Sequence, residues 1–296
     1  MNKRADPLRI ALRVGVYVVL YFAGVFLFGP LVMWAGGYMV GITTTGLATA
    51  LFANWLALRI YEGRPVVDLG LWPNRASAEN LALGVAGGAG AACLVLGPAL
   101  AAGAAHFVRL PAAEQPSAGA AAVLTMLLAA GAAGEEMFFR GYGFQVMVAA
   151  FGPWATVIPV GVVFALMHSA NPSATWFGIA NTAGFGVLFG YAYLRSRDLC
   201  LPIGLHFGWN ITLPLFGVNV SGLRMNMTGH EMAWTAGKLW SGGDYGPEAS
   251  LLTSGVMVLL FLYVRNAPVR GQFSPLTGPA EKGARCEVLP PLRLQS

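Results

Sequence analysis

Few ionisable residues lie within the apolar stretches of this chain, and several of them fall in one short segment, residues 134–141 (GEEMFFRG). A charged residue inside an apolar membrane helix costs about 2.5–3.5 kcal/mol to insert, so such residues are expected to serve a function. On a helix, Glu136 and Arg140 share one face and can form an ion pair, whereas Glu135 points about 100° away. We therefore predict that Arg140 neutralises Glu136 and that Glu135 faces a cavity. Alternatively, both glutamates only satisfy Arg140 at a helix end.

Two histidines stand beside other polar groups in or at the ends of apolar runs. His168 ends one run, and His206 lies near the start of another, with Asn210 four residues later on the same helical face. An isolated histidine in a membrane helix is more often an interhelical hydrogen-bonding group than a catalyst. Together with Glu135, however, these groups are sufficient for peptide hydrolysis. A buried carboxylate can act as general base on water, and a neutral histidine can share that water or later protonate the leaving amine. A second histidine and an amide donor can stabilise the oxyanion.

The nucleophile and the need for a metal can also be assessed from the sequence. No serine or cysteine lies in a recognisable nucleophile motif, so a water nucleophile is the simpler interpretation. The three cysteines are too far apart to indicate a disulfide or a metal site. Zinc is possible in principle, because one carboxylate and two imidazoles make a catalytic ligand set: Glu135, His168 and His206. The sequence has no His-Glu-x-x-His motif, so a metal-free site without a cofactor is favoured.

Three motifs follow one another along the chain: Glu-Glu-x-x-x-Arg, Phe-x-x-x-His and His-x-x-x-Asn. This ordered set, within residues 118–216, resembles the CPBP family of intramembrane proteases, which comprises CAAX proteases and bacteriocin-processing enzymes related to the Rce1-like prenyl protein endopeptidases. The resemblance implies that Glu135 is the general base and that His168 binds and activates water. It further implies that His206 and Asn210 form an oxyanion hole. The supporting side chains that it implies are Glu136, Arg140 and Phe164.

The composition indicates that lipid is the solvent of most of the surface. Hydrophobic residues make up 56% of the chain, charged residues 10%, and the mean hydropathy is +0.62. A soluble domain carries about a quarter of its residues as charges. The net charge of +5 does not indicate nucleic-acid binding, because the Lys and Arg residues sit at the ends of apolar runs. The sequence therefore predicts an all-α, polytopic transmembrane helix bundle.

Apolar runs of roughly spanning length, about 17–25 residues, recur and predict about eight spanning helices. The fourth run is expected to continue past Glu135 toward Ala150 as one long helix. The runs cover residues 14–34, 40–60, 81–105, 118–133, 153–167, 175–194, 201–218 and 251–264.

The distribution of basic residues predicts the orientation. With the N-terminus in the cytoplasm and eight crossings, most Lys and Arg residues fall on the cytoplasmic side, as the positive-inside rule expects. Both termini are then cytoplasmic. The predicted organisation is three N-terminal helices (1–117), CPBP-like catalytic helices four to seven (118–220), an extracytoplasmic loop (221–250), a last helix (251–264) and a disordered cytoplasmic tail (265–296).

One geometric difficulty accompanies this assignment. At 1.5 Å per residue, His168 lies about 22 Å into the fifth helix and His206 only about 8 Å into the seventh, although both helices start from the cytoplasmic face. Three solutions are open: a later start of the fifth helix, a kink near Pro159, or a deeper start of the seventh helix behind Pro202.

The leading functional hypothesis is an intramembrane endopeptidase of the bacterial cell membrane that acts on membrane-associated, lipidated or leader peptides. The expected partners are a peptide or lipidated protein substrate and membrane lipids, not nucleic acid. A catalytically silent scaffold or a bacteriocin-immunity protein on the same fold is the alternative. A proton-coupled transporter is disfavoured, because no internal repeat is visible and a proton relay does not require the His206–Asn210 pair.

Overall fold

The structure is a computed structural model that describes residues 6–279 and 285–286. Most of these residues are helical, and short strands join the loops at both ends of the bundle. The helices are α1 (Pro7–Tyr61), α2 (Arg75–Ala101), α3 (Ala118–Phe139), α4 (Tyr142–Phe151), α5 (Pro153–Met167), α6 (Trp176–Ser196), α7 (Cys200–Leu215), α8 (Lys238–Ser241) and α9 (Leu251–Asn266). The strands are β1 (Ala105–Arg109), β2 (His230–Trp234), β3 (Arg270–Gly271), β4 (Phe273–Ser274), β5 (Gly278–Pro279) and β6 (Arg285–Cys286).

The helical architecture is that of an integral membrane protein. Within the described residues, five helical stretches are long and apolar enough to cross a membrane: Pro7–Tyr61, Arg75–Ala101, Ala118–Phe151, Pro153–Ala170 and Trp176–Ser196. The predicted all-α membrane fold is confirmed at this level. The predicted number of eight crossings and the orientation stay predictions.

Helix α1 contains the first two apolar runs and folds back on itself. Gly37 has a φ of +83°, a left-handed conformation that glycine adopts without a steric penalty. The half of α1 before Gly37 packs closely against the half after it, with Gly24 in contact with Thr49. Near the open end of this hairpin, Arg13 forms an ion pair with Glu62. The two halves of α1 therefore form an antiparallel pair.

The fourth apolar run does not continue as one helix, contrary to the prediction. Helix α3 ends at Phe139, and α4 begins at Tyr142. Asn54 satisfies the backbone groups on both sides of this break, because its amide donates to the Met137 carbonyl (2.9 Å) and its oxygen accepts from the Tyr142 N–H (2.8 Å). A side chain at Gly141 would collide with the Met137 carbonyl and with Asn54. A residue of α1 thus stabilises the break that follows Arg140.

Helices α2 and α7 pack backbone to backbone through glycines spaced four residues apart. A Cβ atom at Gly84 would lie 2.4 Å from the Leu201 carbonyl, and one at Gly204 would lie 2.4 Å from the Leu81 carbonyl. Gly88 and Gly208 continue the same contact one turn further along. Small residues at this spacing allow membrane helices to approach closely. This contact fixes α7, the helix that carries His206.

The place where α7 begins bears on the depth difficulty. The turn between α6 and α7 is buried within the protein rather than exposed at its surface, since Ser196, Asp198 and Leu199 have no exposed surface. The turn Val66–Leu69 and its following residue Gly70 cover it, and the Leu199 N–H donates to the Gly70 carbonyl (2.8 Å). Of the three solutions, a deeper start of the seventh helix agrees with this burial.

The predicted disordered tail is wrong for the part that the structure describes. After α9 the chain packs against the start of α2 and the α6–α7 turn. The side-chain amide of Gln272 donates to Ser77 (3.0 Å) and to the Asp198 carboxylate. Asn80 exchanges two hydrogen bonds with the backbone of Arg270. Polar side chains from distant parts of the chain therefore hold this segment. Residues 280–284 and 287–296 lie outside the described residues.

The loops at the opposite end of the bundle are also joined. Strand β1 pairs antiparallel with β2, in register Ala105↔Trp234 to Arg109↔His230. The Asn171 side chain donates to the Ser221 carbonyl (3.1 Å). The segment predicted as an extracytoplasmic loop, residues 221–250, thus packs on the turns that end α2 and α5.

Candidate active site

The ion pair predicted from the spacing of Glu136 and Arg140 is present and fully buried. An Arg140 guanidinium nitrogen lies 3.1 Å from a Glu136 oxygen, and neither side chain has exposed surface. A second guanidinium nitrogen donates to the Gly186 carbonyl (2.6 Å) of α6. The guanidinium carbon lies 5.0–5.6 Å from the ring centroids of three phenylalanines: Phe139, Phe164 and Phe189. Phe164, predicted as a supporting residue, contributes to this cage.

Glu136 also orients His206. The Nδ1 atom of His206 lies 3.0 Å from a Glu136 carboxylate oxygen. Because an ionised carboxylate only accepts hydrogen bonds, Nδ1 carries the proton. Phe189 stacks on the imidazole ring with a centroid separation of 5.1 Å. The Nε2 atom of His206 is therefore directed toward Glu135 and is a lone-pair acceptor whenever the ring is neutral.

His168 is held in a comparable way at the end of α5. Its Nδ1 atom lies 2.8 Å from the Phe164 carbonyl oxygen, which can only accept, so Nδ1 again carries the proton. The ring lies beside Phe164, with centroids 4.6 Å apart. In its neutral form, His168 therefore presents Nε2 to Glu135 as an acceptor.

Glu135 is the point at which these side chains converge. One of its carboxylate oxygens lies 3.7 Å from His168 Nε2 and 3.9 Å from His206 Nε2. Both separations exceed an ordinary hydrogen bond, and this oxygen has no hydrogen-bond partner among the described residues. The Glu135 side chain is 38% exposed, whereas its neighbour Glu136 is fully buried. In this geometry Arg140 pairs with Glu136, while this Glu135 oxygen has no hydrogen-bond partner among the described residues, and the catalytic role of Glu135 stays a prediction.

A cavity of about 350 Å³ adjoins this cluster. This volume is at the lower end of the range for ligand pockets. The wall includes Asn210, whose side chain makes no hydrogen bond with any other described residue. The structure thus brings the four predicted catalytic side chains to one cavity: Glu135, His168, His206 and Asn210.

Part of the cavity wall could not be predicted from the sequence. Both halves of α1 line it, through Tyr21, Gly46 and other residues, although the predicted site residues lie only on the fourth, fifth and seventh helices. No charged residue or motif in α1 signalled this. The contact of Gly134 in α3 with the backbone of Leu47 in α1 brings the two helices together.

Glu248 is a second buried carboxylate of the cavity and was also missed. It is 6% exposed and accepts hydrogen bonds from the Ser221 backbone N–H, the Ser221 hydroxyl (3.0 Å) and the Trp209 indole (3.4 Å). Burial raises the pKa of the Glu248 carboxyl, and the hydrogen bonds from Ser221 oppose this rise. Its position in a polar loop gave no signal in the sequence. Through these hydrogen bonds, Glu248 connects Ser221 in the loop to Trp209 in α7, the residue before Asn210.

As placed, the three possible zinc ligands lie slightly farther apart than the ligands of a bound zinc ion do. Ligands about 2.0–2.2 Å from a tetrahedral zinc lie roughly 3.3–3.6 Å from one another, whereas Glu135 is 3.7 and 3.9 Å from the two imidazole nitrogens. Within the part of the chain that the structure describes, no three His, Cys, Asp or Glu side chains form a group that could hold a metal. No step proposed below therefore involves a metal.

The fold and the site together define a class: a helical membrane protein with a carboxylate and two imidazoles at an internal cavity. Residues 116–212 match the model of the Rce1-like family, described as type II CAAX prenyl endopeptidase Rce1-like. The match covers about a third of the chain and confirms the resemblance to the CAAX protease family that the three motifs predict. All seven predicted site residues lie within it. No curated protein matches the chain.

Proposed function

We propose that the protein is an intramembrane endopeptidase in which Glu135 activates a water molecule. The observation that carries this proposal is the approach of one Glu135 oxygen to the Nε2 atoms of both His168 and His206 at the edge of a cavity. The family match supports it, because the matched family consists of CAAX-type peptidases.

The hydrogen-bonding state of the cluster favours water as the nucleophile. Glu135 and neutral His168 both present acceptors to the same point, and no described side chain donates to this Glu135 oxygen. A water molecule carries two donors and can satisfy both acceptors while its lone pair faces the substrate. Glu135 takes one proton from this water as the oxygen attacks the peptide carbonyl carbon. The protonated Glu135 then delivers that proton to the leaving amine when the C–N bond breaks.

Charge balance assigns His206 the role of donor to the oxyanion. With both glutamates ionised and Arg140 charged, one additional proton makes the cluster neutral, as a site of low dielectric requires. His206 is the better place for this proton because its Nδ1–H already contacts the Glu136 carboxylate. As an imidazolium, it donates through Nε2, and the free amide of Asn210 supplies a second donor from the next turn of α7.

We further propose that catalysis is metal-free and that the substrate is a membrane-associated, lipidated or leader peptide. The lack of a His-Glu-x-x-His motif supports the first point, and the separations between the donors, slightly longer than those between zinc ligands, agree with it. A cavity lined mostly by apolar residues supports the second. The cellular location that we propose is a bacterial cell membrane with both chain ends in the cytoplasm, in agreement with the charge distribution.

The test is cleavage of a library of quenched fluorescent peptides by the purified protein in nanodiscs, with and without a chelator. Glu135→Gln should abolish cleavage and leave folded yield unchanged, because the substitution is isosteric. Glu114→Gln, a glutamate substitution in an exposed loop, is the matched control and should retain activity.

Each result has a definite meaning. Full activity of Glu135→Gln would refute the general-base role. Activity lost to chelation and restored by Zn²⁺ would refute the metal-free mechanism. A wild-type protein that cleaves no peptide of the library would favour the silent scaffold or immunity protein.

A further inference from the structure

Tyr21, in the first half of α1, is a polar side chain of the cavity wall that the proposed mechanism does not use. It is only 8% exposed, yet its hydroxyl makes no hydrogen bond with any other residue that the structure describes. The large majority of buried polar side-chain atoms have a partner, so an unpartnered buried hydroxyl requires an explanation. A ligand bound in the cavity would supply that partner.

The ring of Tyr21 is held by its neighbours, so its hydroxyl has a defined position. The ring stacks on Phe138 with a centroid separation of 3.8 Å, and it meets Phe22 edge to face at 5.3 Å. The hydroxyl lies beside Gly46 in the second half of α1, where a Cβ atom would be 3.7 Å from it. Gly46 itself lines the cavity. The α1 hairpin thus presents the Tyr21 hydroxyl at the cavity wall.

Tyr21 lies on the α1 side of Glu135, opposite the residues of α7. Gly134 packs against the backbone of the second half of α1, whereas Glu136 contacts His206 in α7. At 100° per residue, Glu135 points between these two directions. Its carboxylate is near enough to the Tyr21 hydroxyl to interact with it electrostatically. The space in front of Glu135 is therefore bordered by a phenol on the α1 side and by an imidazole on the α7 side.

An extended peptide that lies across Glu135 meets hydrogen-bond donors on both of these sides. Successive backbone carbonyls of an extended chain point in opposite directions. When the scissile carbonyl points to His206 and Asn210 on α7, the carbonyl of the neighbouring peptide unit points to the α1 side. A phenol is a hydrogen-bond donor at neutral pH. The Tyr21 hydroxyl therefore lies on the side where such a substrate presents its next acceptor.

We propose that Tyr21 binds the substrate by donating a hydrogen bond to the carbonyl oxygen of a peptide unit next to the scissile bond. This inference rests on the proposed function and adds a substrate-binding residue on α1, outside residues 116–212 that match the Rce1-like family. The hydrogen bond is present in the bound substrate and in the transition state alike. It therefore contributes to substrate binding rather than to kcat.

Tyr21→Phe tests the hydroxyl alone, because the ring and its stacking on Phe138 remain. Since the hydroxyl has no hydrogen-bond partner within the described protein, its removal should leave Tm unchanged. With a peptide that the wild type cleaves in nanodiscs, we expect KM to rise about two- to tenfold at a nearly unchanged kcat. Tyr191→Phe is the matched control and should keep both constants, because Tyr191 also stacks on a ring, that of Trp154, and does not line the cavity.

Modified substrates test which acceptor the hydroxyl binds. Two analogues of the cleaved peptide carry an (E)-alkene in place of the peptide unit on the N-terminal or on the C-terminal side of the scissile bond. One analogue should have a raised KM with the wild type and no further rise with Tyr21→Phe, because the acceptor is already absent. An equal rise in KM with Tyr21→Phe for the parent peptide and for both analogues would overturn the proposal.

The outcomes distinguish failure of this proposal from failure of the proposed function. Cleavage by the wild type together with an unchanged KM in Tyr21→Phe would contradict the role of Tyr21 and retain the peptidase. Absence of cleavage by the wild type would contradict the peptidase and, with it, this proposal. If Tyr21→Phe is not recovered as folded protein, Gly46→Ala replaces it, since its methyl group would lie 3.7 Å from the hydroxyl and obstruct the bound carbonyl. An unchanged KM in Gly46→Ala would then overturn the proposal.

Discussion

Two adjacent glutamates have different surroundings in this site because a helix directs them to different neighbours. Glu136 is enclosed with Arg140 and holds His206 by its Nδ1 atom, whereas Glu135 remains free beside two imidazole nitrogens. A buried charge requires a partner, and Arg140 supplies it through both its charge and its hydrogen bonds. Glu136 therefore acts on the reaction through His206, and Glu135 contacts the reacting water in the proposed mechanism.

Replacement of Asn210 tests the oxyanion hole at the level of one hydrogen bond. Removing one preorganised donor of this type lowers kcat by about 10²–10³-fold. We expect Asn210→Ala to show such a loss with a nearly unchanged KM, because the interaction forms in the transition state. Asn210→Asp keeps the size but loses the donor, and should be equally impaired. Asn266→Ala, at the exposed end of α9, is the control. A raised KM at full kcat would instead indicate a role in substrate binding.

Replacement of Arg140 tests the buried ion pair. Arg140→Ala leaves Glu136 as an unpaired charge in the protein interior, and breaking a buried pair in this way costs about 3–5 kcal/mol. We expect a low yield of monodisperse protein in size-exclusion chromatography. Arg224→Ala removes an exposed arginine that pairs with Glu231, and should express normally. Normal yield and behaviour of Arg140→Ala would contradict the structural role of the pair.

Sequence spacing was sufficient to predict the part of the site that lies within one helix. The Glu136–Arg140 pair and the free Glu135 follow from 3.6 residues per turn, and the pairing of His206 with Asn210 follows from the same periodicity. Glu248 could not be found in this way. It comes from a loop 113 positions after Glu135 in the numbering and becomes part of the cavity only because Ser221 and Trp209 contact it.

At the scale of helices, the position of α7 depends on its glycine contacts with α2. Gly204 and Gly208 precede and follow His206 by two residues, and both face the α2 backbone. Any side chain at these positions would increase the separation of the two helices. Since His206 must remain within reach of both Glu135 and Glu136, the glycine contact determines the geometry of the site.

A single added methyl group tests this contact. A Cβ atom in Gly204→Ala would lie 2.4–3.0 Å from three backbone atoms of α2, so no side-chain movement can relieve the overlap. Overpacking of this kind costs about 1–3 kcal/mol. We expect a lower Tm by scanning fluorimetry and a loss of peptidase activity. Gly90→Ala on α2 meets no atom within 4 Å and should retain both. Unchanged Tm and activity in Gly204→Ala would show that the helices tolerate separation.

Hydropathy predicted the helices well but not their interruptions. Each of the eight apolar runs is helical in the described structure, because a long apolar segment in lipid must satisfy its backbone internally. The break after Arg140 was not predictable from local sequence, since its stabilising partner Asn54 lies in α1. The close α2–α7 contact likewise depends on two glycine pairs that lie far apart in the sequence, Gly84 with Gly88 in α2 and Gly204 with Gly208 in α7.

At the scale of the whole molecule, one end of the bundle is closed by the start of α2, the α6–α7 turn and the described part of the tail. The tail contributes to this packing, although its Pro- and Gly-rich composition indicated disorder. Composition describes the segment alone, whereas its order arises from Asn80 and Asp198, which lie far back in the chain. Burial raises the pKa of the Asp198 carboxyl, and hydrogen bonds from Ser77 and the Cys200 backbone N–H oppose the rise. A buried carboxyl of this kind requires its donors to remain in place.

Removal of the Gln272 side chain tests whether the tail is part of the folded protein. Gln272 is 9% exposed and bonds Asn74, Ser77 and Asp198, so its loss leaves buried polar groups unsatisfied at a cost of about 1–3 kcal/mol. We expect Gln272→Ala to lower Tm and to accelerate trypsin cleavage after Arg270, because the tail then opens more often. Its neighbour Phe273 is 61% exposed, so Phe273→Ala is the control and should leave the cleavage rate unchanged. Equal cleavage rates in wild type and Gln272→Ala would mean that the hydrogen bonds of Gln272 do not hold the tail on Asp198.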